Sequence, residues 1–213
     1  FFLGIASFSL VIIRSFALNS VEDKYYYFNL PFGIFALMLM IRPFREFSHL
    51  RSIFIISLLL PLRRLFFPIA NYFLLPLTKY LTWFILSALG KNPIVNGQSL
   101  YIDETQLLIL RGCAGADNLF FVMSTIVIYM SIFRLRIKSN ILLISVFSTL
   151  ISIFVNIFRN STIGLIVSSK IYYKESLYHF LHNSYGSLLF SFISVTLISL
   201  IYFKMLDQEL NNK

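Results

Sequence analysis

Apolar runs of roughly bilayer length, separated by short clusters of Arg and Lys, fill most of this chain, and few folds tolerate such a pattern. The final half shows it most plainly. Residues 113–133 are apolar and, at about 20 residues per span, long enough to cross a hydrocarbon core. Arg134, Arg136 and Lys138 follow as a compact basic loop. Residues 140–158 return and end at Arg159; after a polar connector with Lys170 and Lys174, the last run occupies 184–203 and stops at Lys204. A segment in lipid must satisfy its own backbone hydrogen bonds, so each run is predicted to be a helix. The composition agrees. Hydrophobic residues are 58% of the chain and charged ones 13%, with a mean hydropathy of +0.79, which leaves too little polar surface for a soluble domain of this length. The expected fold class is all-α: a polytopic membrane bundle of about five to seven segments, forming one integral-membrane domain over residues 1–213.

Two further runs lie at the start. Residues 1–18 carry Arg14 near their end and lead into a polar connector at 19–24; residues 25–41 open with Tyr25-Tyr26-Tyr27 as an interfacial anchor. The first run has neither a basic flank before it nor a small-residue cleavage site after it, so no cleavable signal peptide is expected. Arg42, Arg45 and Arg51 make the next connector basic and hence cytoplasmic. In 52–90, Arg63-Arg64 and Pro61, Pro68 and Pro76 interrupt the pattern. The favoured reading is a span ending near residue 62 followed by surface helices; the alternative is one tilted span over 65–89. A net charge of +9 raises the question of nucleic acid, but the basic residues sit in short inter-span clusters, which fits membrane orientation and excludes nucleic-acid binding. The longest polar section, 91–104, holds the turn signal Asn96-Gly97, and 99–102 and 106–110 read as short strands, a hairpin-like segment ahead of Cys113.

Counting crossings outward from the cytoplasmic loop at 134–138 puts Cys113, Arg159 and His182 at one extracytoplasmic face. Each has a bland reading: an inert small hydrophobe, a snorkelling cation, an interfacial anchor. Their coincidence favours chemistry. The thiolate is the reactive form of cysteine, His182 can take its proton and return it to a leaving amine, and the permanently charged Arg159 suits an oxyanion or a substrate carbonyl. Gly112 and Gly115 bracket the thiol and let a substrate backbone approach. Asp117, four residues on, is placed on the same helical side to orient His182 or salt-bridge to Arg159. The chain has one Cys, so no internal disulfide forms, and His49, His179 and His182 lack zinc-ligand spacing, so neither metal nor cofactor is expected.

Cys113-Ala114-Gly115, then Asn156-Ile157-Phe158-Arg159, then His182-Asn183-Ser184-Tyr185-Gly186 resemble the three signatures of the exosortase/archaeosortase family, Cys-(Ser/Ala)-Gly, Asn-x-x-Arg and His-x-x-x-Gly. The resemblance spans about 52–203, the expected catalytic core, with 1–51 as N-terminal membrane segments. Ala114 replaces the more frequent Ser, and Asp117-Asn118 add polarity after the thiol. The resemblance implies a membrane cysteine transpeptidase that cleaves a C-terminal sorting signal (motif, transmembrane helix, basic cluster) on secreted, membrane-anchored proteins. Cys113 would form the acyl-enzyme, Arg159 and His182 complete the triad, and Asn156 and Gly186 support it. The partners implied are those protein substrates, the lipid bilayer and a lipid or glycan acceptor. The location implied is the cytoplasmic (inner) membrane of a prokaryote, multi-pass, with the site facing outward. Two alternatives stand beside it: another membrane hydrolase or acyltransferase using His182 with Asp117 or Glu175, and a non-catalytic polytopic protein such as a transporter subunit or assembly factor.

Overall fold

The computed structural model describes residues 1–17, 26–40, 47–102, 105–169, 173–182 and 184–211. The connector at 19–24, Tyr25, Arg42, Arg45, Asp103-Glu104, Lys170 and Asn183 lie outside the described residues. The described chain is helical but for one small sheet, an all-α membrane bundle. It falls into two compact units.

The first unit holds residues 1–65 and 127–134. Here α1 (Phe2–Ala17) packs on α2 (Asn29–Met40), and α3 (Phe47–Ala88) begins. The hydroxyl of Ser52 donates to the Ser131 carbonyl at 3.0 Å. α3 differs from the favoured expectation. It does not break near residue 62 but runs 42 residues through Pro61, Pro68 and Pro76, about 60 Å at 1.5 Å per residue. Prolines are tolerated in membrane helices where neighbouring groups satisfy the freed backbone carbonyls.

The second unit, residues 66–126 and 135–213, begins with the remainder of α3. A three-stranded antiparallel meander follows: β1 (Ile94–Asn96), β2 (Ser99–Ile102) and β3 (Thr105–Leu108). Asn96 pairs with Ser99, so the two turn residues are Gly97 and Gln98, one position later than the Asn96-Gly97 signal implied. Gly97 has φ +58°, which the mirror-image hairpin turns require at the first loop position. The Lys79 ammonium donates to the Gly97 carbonyl at 2.9 Å and the Trp83 indole to the Pro93 carbonyl at 2.8 Å, tying the meander to α3. Leu100, Ile102 and Leu107 point inward and join Leu86, Ile163, Ile166 and Leu181 in the core that surrounds Cys113.

Three apolar helices follow: α4 (Ala116–Ile132), whose residues 127–132 belong to the first unit, and the longer α5 (Lys138–Val167) and α7 (Ser184–Asn211), with the short α6 (Lys174–His182) before the last. Among the described residues, α3, α5 and α7 are long and apolar enough to cross a membrane; α1, α2 and α4 are shorter apolar helices. Their amphipathicity is inverted relative to a water-soluble bundle. On α5, Leu143, Phe147, Leu150, Phe154 and Phe158 face outward at spacings of three and four, whereas Ser148, Ser152, Asn156 and Arg159 are buried. On α7, Leu189, Phe192 and Leu200 face outward and Ser191, Ser194 and Glu209 inward. Small and polar residues inside, large apolar ones outside, is how helices associate in lipid. The Asn118 amide joins α4 to both, donating to the Ser152 carbonyl and the Ser194 hydroxyl, each at 3.0 Å. At the basic end, the Glu209 carboxylate accepts from the backbone N–H groups of Arg136 (2.8 Å) and Ile137 (3.3 Å) and from the Asn140 amide (2.8 Å). Arg159 lies about 30 Å along α5 from Lys138, one hydrocarbon thickness away.

Candidate active site

Cys113 ends a 3-10 turn (Arg111–Cys113), with Ala114 and Gly115 between it and α4. The backbone of Cys113 and Ala114 is held by three side chains from two helices. The Asn156 and Asn160 amides of α5 each donate to the Cys113 carbonyl at 3.0 Å, and the Thr78 hydroxyl of α3 donates to the Ala114 carbonyl at 2.9 Å. Gly115 makes this possible. Its φ is +90°, a conformation that disfavours any side chain, and a Cβ placed there would lie 2.6 Å from Asn156 Nδ2. The Gly of the first signature and the Asn of the second thus act on each other. Gly112 differs: nothing lies within 4 Å of where its Cβ would be.

His182 is the last residue of α6, and its Nε2 lies 3.7 Å from Cys113 Sγ. The Tyr178 ring, one helical turn earlier, stacks on the imidazole with centroids 5.0 Å apart and an interplanar angle of 26°. His179 meets the same tyrosine edge-on and is exposed. Gly186 closes the corner. A Cβ there would lie 2.6 Å from the carbonyl oxygens of Phe180 and Leu181, so the first turn of α7 rests on the backbone of the last turn of α6.

Arg159 is buried, 5% exposed, and its guanidinium ties α5 to that same turn. Nε and Nη2 donate to the Leu181 carbonyl at 3.1 and 3.0 Å, and Nη2 also to the His182 carbonyl at 3.0 Å. It therefore caps the carboxyl end of α6, where carbonyls lack helical partners and a cation is favoured. Nη1 makes no such bond among the described residues. Arg159 thus positions His182 while retaining two N–H donors.

The geometry brings Cys113, His182 and Arg159 together, with Asn156, Gly115 and Gly186 each building part of the frame. Asp117 needs a correction. The 3-10 turn and the left-handed Gly115 interrupt the helix between residues 113 and 117, so the four-residue spacing does not put them on one helical side; Asp117 is instead half-buried in the first turn of α4. Three contributors went unread in the sequence. Asn160 follows Asn156 by four and Tyr178 precedes His182 by four, spacings that place each pair on one helix face. Thr78 lies 36 residues from its partner, and no local pattern points to it.

Fold and site together define a multi-pass helical membrane protein with a thiol and an imidazole in register at one end of its bundle. The chain matches the transmembrane exosortase family (Exosortase_EpsH) over residues 1–199 and belongs to that family. The match takes in the first fifty residues, where the sequence alone offered no signature. Membership supports a membrane transpeptidase- or protease-type activity. No curated protein and no solved structure matches the chain.

Proposed function

We propose that this chain is a membrane cysteine transpeptidase that cleaves the C-terminal sorting signal of membrane-anchored proteins through an acyl-enzyme on Cys113. The observation that carries the reading is the 3.7 Å separation of Cys113 Sγ and His182 Nε2, side chains 69 residues apart in sequence. In the first step His182 Nε2 takes the thiol proton as sulfur bonds to the scissile carbonyl carbon, and the carbonyl oxygen becomes an oxyanion. Arg159 Nη1 is the donor available to it. Collapse breaks the C–N bond, and His182 returns the proton to the departing amine, leaving a thioester. An amine on a lipid or glycan, or water, then attacks the thioester carbon and gives its proton to His182. The new amide or acid departs, and the thiol is restored.

The family resemblance implies the cytoplasmic membrane of a prokaryote, and the basic loop at 134–138, under the positive-inside rule, supports a site on the outer face. The test is processing of an epitope-tagged substrate carrying a C-terminal signal. Cys113→Ala, Arg159→Ala and His182→Ala each abolish processing while the protein remains in the membrane. Near-normal processing by Cys113→Ala or Cys113→Ser contradicts the thiol mechanism and favours a hydrolase working through His182 alone.

A further inference from the structure

A groove of about 730 Å³ runs down the first unit between α1, α2 and the part of α3 that belongs to it. α1 and α2 are antiparallel. The Asn29 amide at the start of α2 donates to the Ser15 hydroxyl near the end of α1 at 3.3 Å, and a Cβ on Gly4 would lie 2.8 Å from the Met40 backbone nitrogen at the other end. The groove is therefore polar at its mouth and apolar below. Ser15, Tyr27 and Asn29 form the mouth; Phe8 of α1 and Ile34 and Leu37 of α2 line the part that reaches about 12 Å down α2. Leu60 lines it from α3. Arg64, one turn beyond Leu60 on the same helix face, is exposed and holds its guanidinium 5.9 Å from the centre of the Tyr27 ring.

That cation stands out by its position. Arg63-Arg64 interrupt the apolar pattern of α3, and charged residues inside membrane helices are rare and mark function. They lie about 25 Å along α3 from Phe47, toward the end opposite the basic connector that the sequence assigns to the cytoplasm, so they run against the positive-inside trend. By sequence, residues 14–27 and 63–64 hold four cations, Arg14, Lys24, Arg63 and Arg64, against two carboxylates, Glu22 and Asp23. Positive charge is in excess over these segments.

We infer that the groove holds one anionic phospholipid of the outer leaflet, with its phosphate at Arg64 and one acyl chain laid down between α1 and α2. An apolar trough below a cationic, polar mouth follows the order of chemistry along such a lipid. Net charge selects among headgroups, because a zwitterionic one brings a cation of its own beside the phosphate. A helix is too large an occupant: about 10 Å across, it fills about 1,200 Å³ for every ten residues, more than the groove contains. Gly33 keeps the trough open, since its Cβ position meets only Val11, at 3.8 Å.

The test is native mass spectrometry of the full chain released from detergent micelles, titrated with dioleoyl phosphatidylglycerol or dioleoyl phosphatidylcholine. The parent takes up one equivalent of phosphatidylglycerol about three- to fivefold more tightly than phosphatidylcholine, the scale of one exposed charge pair. Arg64→Gln removes that preference. Arg51 is exposed thirteen residues earlier on α3, and Arg51→Gln keeps the preference. Gly33→Leu, which fills the trough, weakens both lipids about tenfold, as for two methylene groups kept out of it. Glycerophosphoglycerol, the headgroup without chains, does not compete. An unchanged helical circular-dichroism spectrum confirms that each variant is folded.

Equal uptake of the two lipids by the parent overturns the proposal. So does a preference that survives Arg64→Gln, or one that Arg51→Gln removes equally, since the charge is then diffuse. Competition by glycerophosphoglycerol assigns a phosphodiester site rather than a lipid site. A parent that runs as a dimer and becomes monomeric with Gly33→Leu makes the groove an interface between copies, which also overturns the lipid assignment. None of these outcomes bears on Cys113, so the lipid site and the catalytic reading fail separately.

Discussion

Two glycines flank Cys113 at nearly equal distance in sequence, and the structure assigns them opposite sensitivities. Gly115→Ala forces an L-residue to φ +90°, at a cost of about 1–2 kcal/mol. The new Cβ also lies 2.6 Å from Asn156 Nδ2, so the amide must withdraw from the Cys113 carbonyl, losing a buried hydrogen bond of about 1 kcal/mol. The Asn160 amide keeps the carbonyl from being wholly unpaired, so the sum is about 2–3 kcal/mol. Gly112→Ala meets no atom within 4 Å and does not sit in the left-handed region, so its effect on stability stays within about 0.5 kcal/mol. Thermal unfolding of both purified variants in one detergent gives the comparison, with iodoacetamide labelling of Cys113 as a local probe. Gly115→Ala unfolds at clearly lower temperature and labels at a changed rate, because the carbonyl that anchors the thiol has moved. Equal stability of the two variants refutes the reasoning, since it means the Asn156 contact does not constrain the turn.

Three further predictions follow from the frame. Arg159→Lys retains the charge but not the fork that reaches two carbonyls; it abolishes processing and raises amide hydrogen exchange at the α6–α7 corner, whereas a purely electrostatic role leaves exchange unchanged. Tyr178→Phe keeps the stacked ring and full processing, and Tyr178→Ala lowers processing about three- to tenfold, from an aromatic contact of about 0.5–1.5 kcal/mol. Glu209→Ala leaves two backbone donors of the 136–137 loop without their carboxylate and lowers the thermal unfolding temperature, with the labelling rate of Cys113 at the opposite end unaffected.

Much of this arrangement was legible because polar residues are rare in membrane segments and carry information when they occur. Span length and the basic loop at 134–138 were enough to put Cys113, Arg159 and His182 at one end of the bundle, and the Asn96-Gly97 signal located the hairpin to within one residue. The continuity of α3 was not legible, because whether a proline ends a membrane helix depends on what neighbouring groups do with the freed carbonyl. The role of Arg159 was half legible. Its charge and its place at the end of an apolar run pointed to the site, but that it is buried and caps α6 depends on where that helix ends in space, and the sequence places no carbonyl near it. Asp117 shows the converse failure: a helical spacing rule was applied across a turn that is not helical.

The central claim is that His182, and not its neighbour His179, activates Cys113. The direct measurement is the rate at which a membrane-impermeant maleimide labels Cys113 on intact cells expressing the parent, His182→Ala or His179→Ala. The account predicts labelling from outside, slowed about tenfold or more without His182 because the base beside the thiol is gone, and unchanged without His179. Equal rates in all three proteins, or labelling only after permeabilisation, contradict it.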